Sequence, residues 1–473
     1  MEVSQKIKSG EHFRENAFEG RKGKNITDMT VGSPTKHILV FALPLFLGNL
    51  FQQLYNMVDS LVVGNFIDGD ALAAVGSCGS MNFLFFSLSS GIAIGIGVIV
   101  SQYFGAQDDV NVRRTIANSF YVVMGAAIVV SLLGYFFSPY LVKLLQVKNP
   151  ATYTSAVTYI QTTCLGIVGV ALYNNVSAIL RALGDSKTPL YFLILSSIVN
   201  VVLDLVFVIC FGMGVFGVAL ATVISQYASA FSSLIYALLK VSYFNIRREE
   251  RKLCGDIIRK SIKAGIPIAL QNSMIAISCM ALQGVVNTFG EKVMTAYTIT
   301  GRIEQLVQQP YSSLGTALTS YSGQNMGAGK IDRVKKGFRR SALMCLIFSL
   351  IMLPLFYFFG RNIADLFLRD DEVESINIAA AAIRITSPAY FGLGMIYVPR
   401  AVLNGCGDTR FAMLNGVTEF VCRILYGPLL TMIPVLGYWG IWVTSAATWI
   451  TTAIVCCIRY FRGRWKTKSF VST

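Results

Sequence analysis

Charge is what this sequence has least of. Only 14% of its 473 residues are Asp, Glu, Lys or Arg, whereas 54% are hydrophobic. A soluble domain carries roughly a quarter of its residues as charges, so a water-soluble fold is excluded. Histidine is nearly absent: the only two are His12, in a polar N-terminal stretch, and His37, where the first apolar segment begins. That argues against a haem, a His-ligated metal or a Ser-His-Asp enzyme inside the apolar body. The ten cysteines are scattered, with no C-x-x-C pair, and read as small apolar packing residues. Residues 1–33 lack the apolar core of a signal peptide and read as a cytoplasmic tail. No nucleophile–base pair is visible, so the chain does not read as an enzyme and calls for no cofactor.

What is present is long apolar runs. The mean hydropathy is +0.58, and residues 38–67 hold a single carboxylate, Asp59, and no basic residue. A helix needs about 20 such residues to cross a bilayer, whereas a barrel strand needs only about 10, alternating in polarity. The pattern predicts an all-α integral membrane protein with spans near 36–63, 71–100, 112–137, 154–181, 187–211, 213–241, 257–285, 294–322, 335–360, 377–404, 410–433 and 437–460. Net charge is +15, which raises the question of nucleic acid, but its distribution answers it. With the N-terminus inside, the outer loops hold only Lys143, Lys148, Lys292, Arg361 and Arg369, and the spans, away from their inner ends, only Arg302, Arg384 and Arg423. The rest of the 40 Lys and Arg fall on inner segments. This is positive-inside bias against anionic lipid, which puts both termini in the cytoplasm and leaves no nucleic-acid patch.

The chain repeats itself at an offset of about 223. Ala42-Leu43-Pro44 matches Gly265-Ile266-Pro267. Gln102-Tyr103-Phe104-Gly105-Ala106 matches Gln324-Asn325-Met326-Gly327-Ala328. Leu180-Arg181-Ala182-Leu183-Gly184-Asp185 matches Leu403-Asn404-Gly405-Cys406-Gly407-Asp408, and Gly217 matches Gly440. Two pseudo-symmetric six-helix bundles follow, at 34–242 and 257–461, with a cytoplasmic linker at 243–256 and a C-terminal tail at 462–473. Six spans per half make the repeats parallel, an arrangement in which transporters hold substrate between rocking bundles. In the matched turns, Gly184 and Gly407 suit a left-handed helix end, and Asp185 and Asp408 suit the cap of the following helix. Gly91 and Gly95 permit close helix approach.

A carboxylate at bilayer depth costs about 2.5–3.5 kcal/mol on insertion scales and needs a reason. Asp59 closes a helical stripe with Asn49, Gln52 and Asn56. Asn200 and Asp204 share a face of the fifth span, and Thr222 and Gln226 a face of the sixth. Their oxygens suit a hard cation such as Na⁺, or a proton on a carboxylate; a buried hydrogen-bond network is the alternative. At the repeat offset Asp59 maps to Leu282, Asn200 to Arg423, Asp204 to Gly427 and Thr222 to Ser445, so the carboxylates were kept in one half only. Glu419 and Arg423 stand four apart and suit an ion pair. Glu304, with Arg302 and Arg384, is expected to shape a substrate cavity in which Gln52 and Asn56 also stand, Glu304 meeting a cationic substrate and pairing with Arg384.

These features together resemble the multidrug and toxic compound extrusion (MATE) family over nearly the whole chain after residue 33. Members related to the DNA-damage-inducible (DinF-like) branch carry an Asp on the first helix, Asn and Asp on the fifth and Thr on the sixth. The resemblance implies that Asp59, Asn200, Asp204 and Thr222 bind the coupling ion, H⁺ or Na⁺. The NorM branch places acids on the seventh and tenth helices, where this chain has none. The implied activity is secondary active efflux of amphipathic, cationic organic compounds, with Pro44 the point at which the first helix bends. A lipid-linked oligosaccharide flippase of the wider superfamily is the alternative. The expected setting is a monomer in a prokaryotic inner membrane, with lipids and small organic molecules as its partners.

Overall fold

The computed structural model describes residues 25–67, 69–144, 149–365 and 373–471. Twelve spans run through it, and no strand occurs among the described residues. The first half holds α1 (Pro34–Phe66), α2 (Gly69–Gly105), α3 (Asp109–Leu144), α4 (Pro150–Ala182), α5 (Lys187–Leu205) and α6 (Gly214–Lys240). The second holds α7 (Gly255–Val286), α8 (Glu291–Gly327), α9 (Ile331–Asp365), α10, α11 (Thr409–Thr431) and α12 (Gly440–Phe461). The tenth span is two helices, Val373–Thr386 and Tyr390–Gly405, joined by a 3-10 turn at Ser387–Ala389 that contains Pro388. A proline removes a backbone donor and crowds the preceding turn, which is where this span breaks. α1 and α7 run unbroken through Pro44 and Pro267.

Among the described residues nine helices are long and apolar enough to cross a membrane. The three others lie in the second half. α8 is rich in amides and hydroxyls, α10 is broken, and α11 carries Glu419 and Arg423. α8 and α11 thus fall short through polar residues and α10 through its break.

Each half has its own core of buried apolar side chains. The halves meet through α1 against α8, α2 against α7, and α2 against α8. The first two pairs are repeats of one another, since α1 corresponds to α7 and α2 to α8. The duplication thus builds the interface as well as the bundles. Small residues set its closeness: a Cβ on Gly91 or Gly95 would run into the α7 backbone at Ala269 or Gly265.

The described parts of both tails, residues 25–33 and 462–471, are docked on the bundles. Residues 25–33 lie against both halves, with Met29 1% exposed and its amide bonded to Gln324. At the other end Trp465 is 1% exposed, and the amide of Phe470 is bonded to Gln102. Residues 1–24 lie outside the described residues. The linker between α6 and α7 is clamped to α3 rather than loose: Tyr243 donates to Asp109 (2.8 Å), Arg113 pairs with Glu250 (2.8 Å), and Asn118 accepts from the Cys254 amide (2.9 Å). α7 begins at Gly255, two residues before the expected start of the second bundle.

Candidate functional site

The cluster in the first half is built on α1, α5 and α6, which pack on one another. Asn200 and Asp204, one turn apart on α5, are 1% and 0% exposed. The Asn200 amide donates to the Thr222 hydroxyl at 3.4 Å, and that hydroxyl donates to the Val218 carbonyl at 3.0 Å. Asn200 Oδ1 accepts no hydrogen bond among the described residues. Asp59 lies in α1, and its side chain lies outside the described residues. Among the described residues, α5 and α6 therefore bring carboxylate, amide and hydroxyl oxygens into one buried neighbourhood. Just beyond Asp204 the backbone widens into a π-helical turn at Val206–Cys210. Such turns cost regular hydrogen bonding and recur at functional sites; nothing in the apolar run Val206-Phe207-Val208-Ile209-Cys210 signals it. In the second half the positions corresponding to the two carboxylates are Leu282 and Gly427, apolar and close together: a Cβ on Gly427 would touch the Leu282 side chain at 3.3 Å.

A cavity of about 720 Å³ lies between the halves. Gln52 and Asn56 line it, as do Pro44, Asn200 and Gln226. Arg302, Glu304 and Arg384 are not among its lining residues, which corrects the expectation that they shape it. Arg302 is exposed on α8. Glu304 has Thr386 and Arg423 as polar neighbours within the second bundle. Arg384 does not pair with Glu304: it donates to the Tyr357 carbonyl at 3.0 Å and lies over the Tyr357 ring at 5.7 Å. Among the described residues, the charged side chains that do line the cavity are Arg181, Arg400, Arg423 and Glu419. Glu419 and Arg423 pair at 3.4 Å, and Arg423 also donates to Ser278 at 2.7 Å. Arg181 and Arg400 were read from sequence as inner-segment charges. Their one available signal was position, at the inner ends of α4 and α10 and directly before the repeated turns.

Both turns are left-handed at glycine, with φ +91° at Gly184 and at Gly407. Asp185 caps α5 as expected, accepting from the amides of Lys187 (3.1 Å) and Thr188 (3.0 Å) and from the Thr188 hydroxyl (2.5 Å). Asp408 departs from its twin. It makes no side-chain cap bond to α11 and pairs with Arg459 of α12 at 2.8 Å. A guanidinium outcompetes backbone amides for a carboxylate when it can approach with two donors, and Asp408 accepts from both Nε and Nη2 of Arg459.

The repeated glutamines close the face that carries the termini. Gln102 donates to the Gly405 carbonyl of the opposite half at 2.8 Å. Gln324 donates to the Ala182 carbonyl of the first half at 2.9 Å. Their oxygens receive the terminal straps: Gln102 accepts from Phe470 (2.7 Å) and Gln324 from Met29 (2.8 Å). Gly105 and Gly327 permit this crossing, because a Cβ on either would collide with the backbone of the opposite glutamine.

The MatE family model matches the chain twice, over residues 44–206 and 267–429, so its recurrence follows the repeat offset read from the sequence. Over 443 residues the chain is 30% identical to the probable multidrug resistance protein YpnP of Bacillus subtilis (strain 168), covering 93% of this chain and 97% of that protein. It is 26% identical over 442 residues to the probable multidrug resistance protein YoeA of the same strain, covering 91% and 94%. Among solved structures, a MOP superfamily transporter from Pyrococcus furiosus shares the fold with a TM-score of 0.88 at 21% identity, covering 96% of this chain and 100% of that one. A family model that recurs in both halves, and a relative matched along nearly its whole length, lead to one conclusion: the chain belongs to the MatE, or multidrug and toxic compound extrusion, family of membrane transporters.

Proposed function

We propose that this protein is a secondary active exporter of amphipathic organic compounds, driven by H⁺ or Na⁺ entering through Asp59, Asn200, Asp204 and Thr222. The observation that carries the reading is the buried pair Asn200–Asp204 on α5 beside Thr222, within the half that kept its carboxylates, with Asn200 also lining the cavity between the bundles. An ion bound there alters the packing of α1, α5 and α6, and through Pro44 and Asn200 the shape of the cavity. Oxygen donors of this kind suit Na⁺ or a proton equally. Each inward charge contributes about 2.3 kcal/mol per 100 mV of membrane potential.

The termini-bearing face, sealed by Gln102 and Gln324, is the cytoplasmic one in this reading, since the basic residues crowd there. The protein acts as a monomer in the inner membrane and uses no cofactor beyond the coupling ion. We assign it to the DinF-like side of the family rather than to NorM, because the membrane-depth parts of α7 and α10 carry no carboxylate. The flippase alternative draws no support from the relatives, which are named as multidrug resistance proteins.

The test is exchange in proteoliposomes under separately imposed pH and Na⁺ gradients, wild type against Asp204→Asn. One gradient should drive substrate exchange in the wild type, and Asp204→Asn should abolish it while retaining a monodisperse, folded protein. Gradient-driven exchange that survives in Asp204→Asn removes this cluster from the mechanism.

A further inference from the structure

We infer that the central cavity selects substrates bearing an acidic group, a carboxylate, sulfonate or phosphate, on an aromatic or apolar body. This deepens the transport reading and rests on it. The sequence placed Glu304 where it would meet a cationic substrate, and Glu304 is not among the described residues that line the cavity. Among the described lining residues the charged side chains are three arginines and one glutamate. The glutamate is already committed, because Glu419 pairs with Arg423. Arg181 and Arg400 are left without a carboxylate partner among the described residues.

The two guanidiniums come from opposite halves, Arg181 from the last turn of α4 and Arg400 from the inner part of α10. Arg181 is partly buried and makes no hydrogen bond to any described residue, so no described residue occupies its donors. A guanidinium offers five donors in a planar fork matched to oxyacid groups. Arg400 lies over the Tyr397 ring at 4.5 Å, a cation–π contact that helps hold its guanidinium in place at the cavity wall. Asn174, seven residues before Arg181 on the same face of α4, adds a buried amide donor without a partner among the described residues. Asn404 adds a buried acceptor without a partner among the described residues, which suits a hydroxyl or amide on the same ligand. Phe83, Phe86 and Trp449 supply apolar wall. An organic cation would meet two like charges that have no carboxylate partner among the described residues, and repulsion disfavours it. An acidic group held by Arg181 and Arg400 together would bridge the bundles, so its presence would bear on their relative movement.

The charge of the substrate also sets the driving force. An anion leaving and a cation entering move charge in the same sense, so an inside-negative potential drives both legs of the exchange. A cation leaving against one entering cation gains nothing from it.

The experiment compares two fluorescent aromatic probes, 1-anilinonaphthalene-8-sulfonate and ethidium, with the full chain reconstituted in liposomes under an ion gradient and a clamped potential. The expected result is that the sulfonate is exchanged and that its rate rises more steeply with potential than that of any ethidium exchange. Arg181→Gln and Arg400→Gln should each weaken the apparent sulfonate affinity by at least about tenfold, the loss of a charge-assisted hydrogen bond. Arg181→Lys, which keeps the charge, should retain most of it and control for misfolding together with size-exclusion profiles. Ethidium exchanged without the sulfonate, or sulfonate exchange unchanged in both Gln variants, overturns the acidic-substrate inference and leaves antiport standing. If neither probe responds to any gradient, the antiport reading fails and this inference with it.

Discussion

A single linker residue shows how far local chemistry departs from a charge count. Glu250 sits in a run of arginine and lysine that reads from sequence as membrane-retention charge. It is instead 5% exposed, accepting from Arg113 of α3 at 2.8 Å and from the Arg247 amide at 2.9 Å. Burial alone would push its carboxyl up, but the Arg247 amide and the Arg113 guanidinium outweigh burial and hold it below the usual carboxylate range. A carboxyl with a depressed folded-state pKa contributes stability that is present above its unfolded pKa and lost as pH falls through the folded one. Glu250→Gln should therefore lower the melting temperature at pH 7, by an amount corresponding to about 1.5–3 kcal/mol. The gap between variant and wild type should shrink as the pH falls below about 4. Detergent-solubilised melts across pH 3–8 check this, and a gap that stays constant over that range would rule out the ionised pair as its source. The partner could not be read from sequence, because Arg113 lies 137 positions away and no short-range pattern links the two.

At the scale of an element, the instructive comparison is α5 with its repeat, α11. The periodicity of polar residues made Asn200 and Asp204 legible, since one turn separates them and the buried face follows from the 3.6-residue period. The π-helical turn after them was not legible, because it is a backbone adjustment with no distinctive side chain. In α11 the position of Asn200 is filled by Arg423, paired with Glu419 and bonded to Ser278. The four-residue spacing made the Arg423–Glu419 pair legible, but not that both would border the cavity. A buried ion pair is weak evidence of stability, whereas breaking one by removing a single partner is costly. Arg423→Met should destabilise the protein by roughly 3–5 kcal/mol by stranding the Glu419 carboxylate. The double variant Arg423→Met, Glu419→Leu should recover most of that loss. Thermal unfolding of the four proteins in a double-mutant cycle measures the coupling, and strictly additive losses would show that the pair is not energetically linked.

On the scale of the whole molecule, duplication made the two bundles readable and left their closure hidden. The repeat of Gln-x-x-Gly-Ala at the ends of α2 and α8 was plain in the sequence, but its meaning depends on the two copies crossing, which only the assembled halves reveal. Each glutamine satisfies a carbonyl of the opposite half and an amide of a terminal strap, and both glutamines are fully buried. An unsatisfied buried polar group costs about 1–3 kcal/mol. In Gln102→Ala, Gln324→Ala the carbonyls of Gly405 and Ala182 and the amides of Phe470 and Met29 all lose partners at once. The least costly response is to admit water by parting the halves at this face, which releases both straps. Hydrogen–deuterium exchange should then rise in residues 25–33, 101–106, 323–328 and 468–471, while the middle of α4 stays protected. Each single variant should free mainly the strap its own glutamine holds, residues 25–33 for Gln324→Ala and 468–471 for Gln102→Ala. Exchange that rises equally throughout would report general destabilisation, and exchange that stays unchanged would mean that packing at Gly105 and Gly327 closes this face without the glutamines.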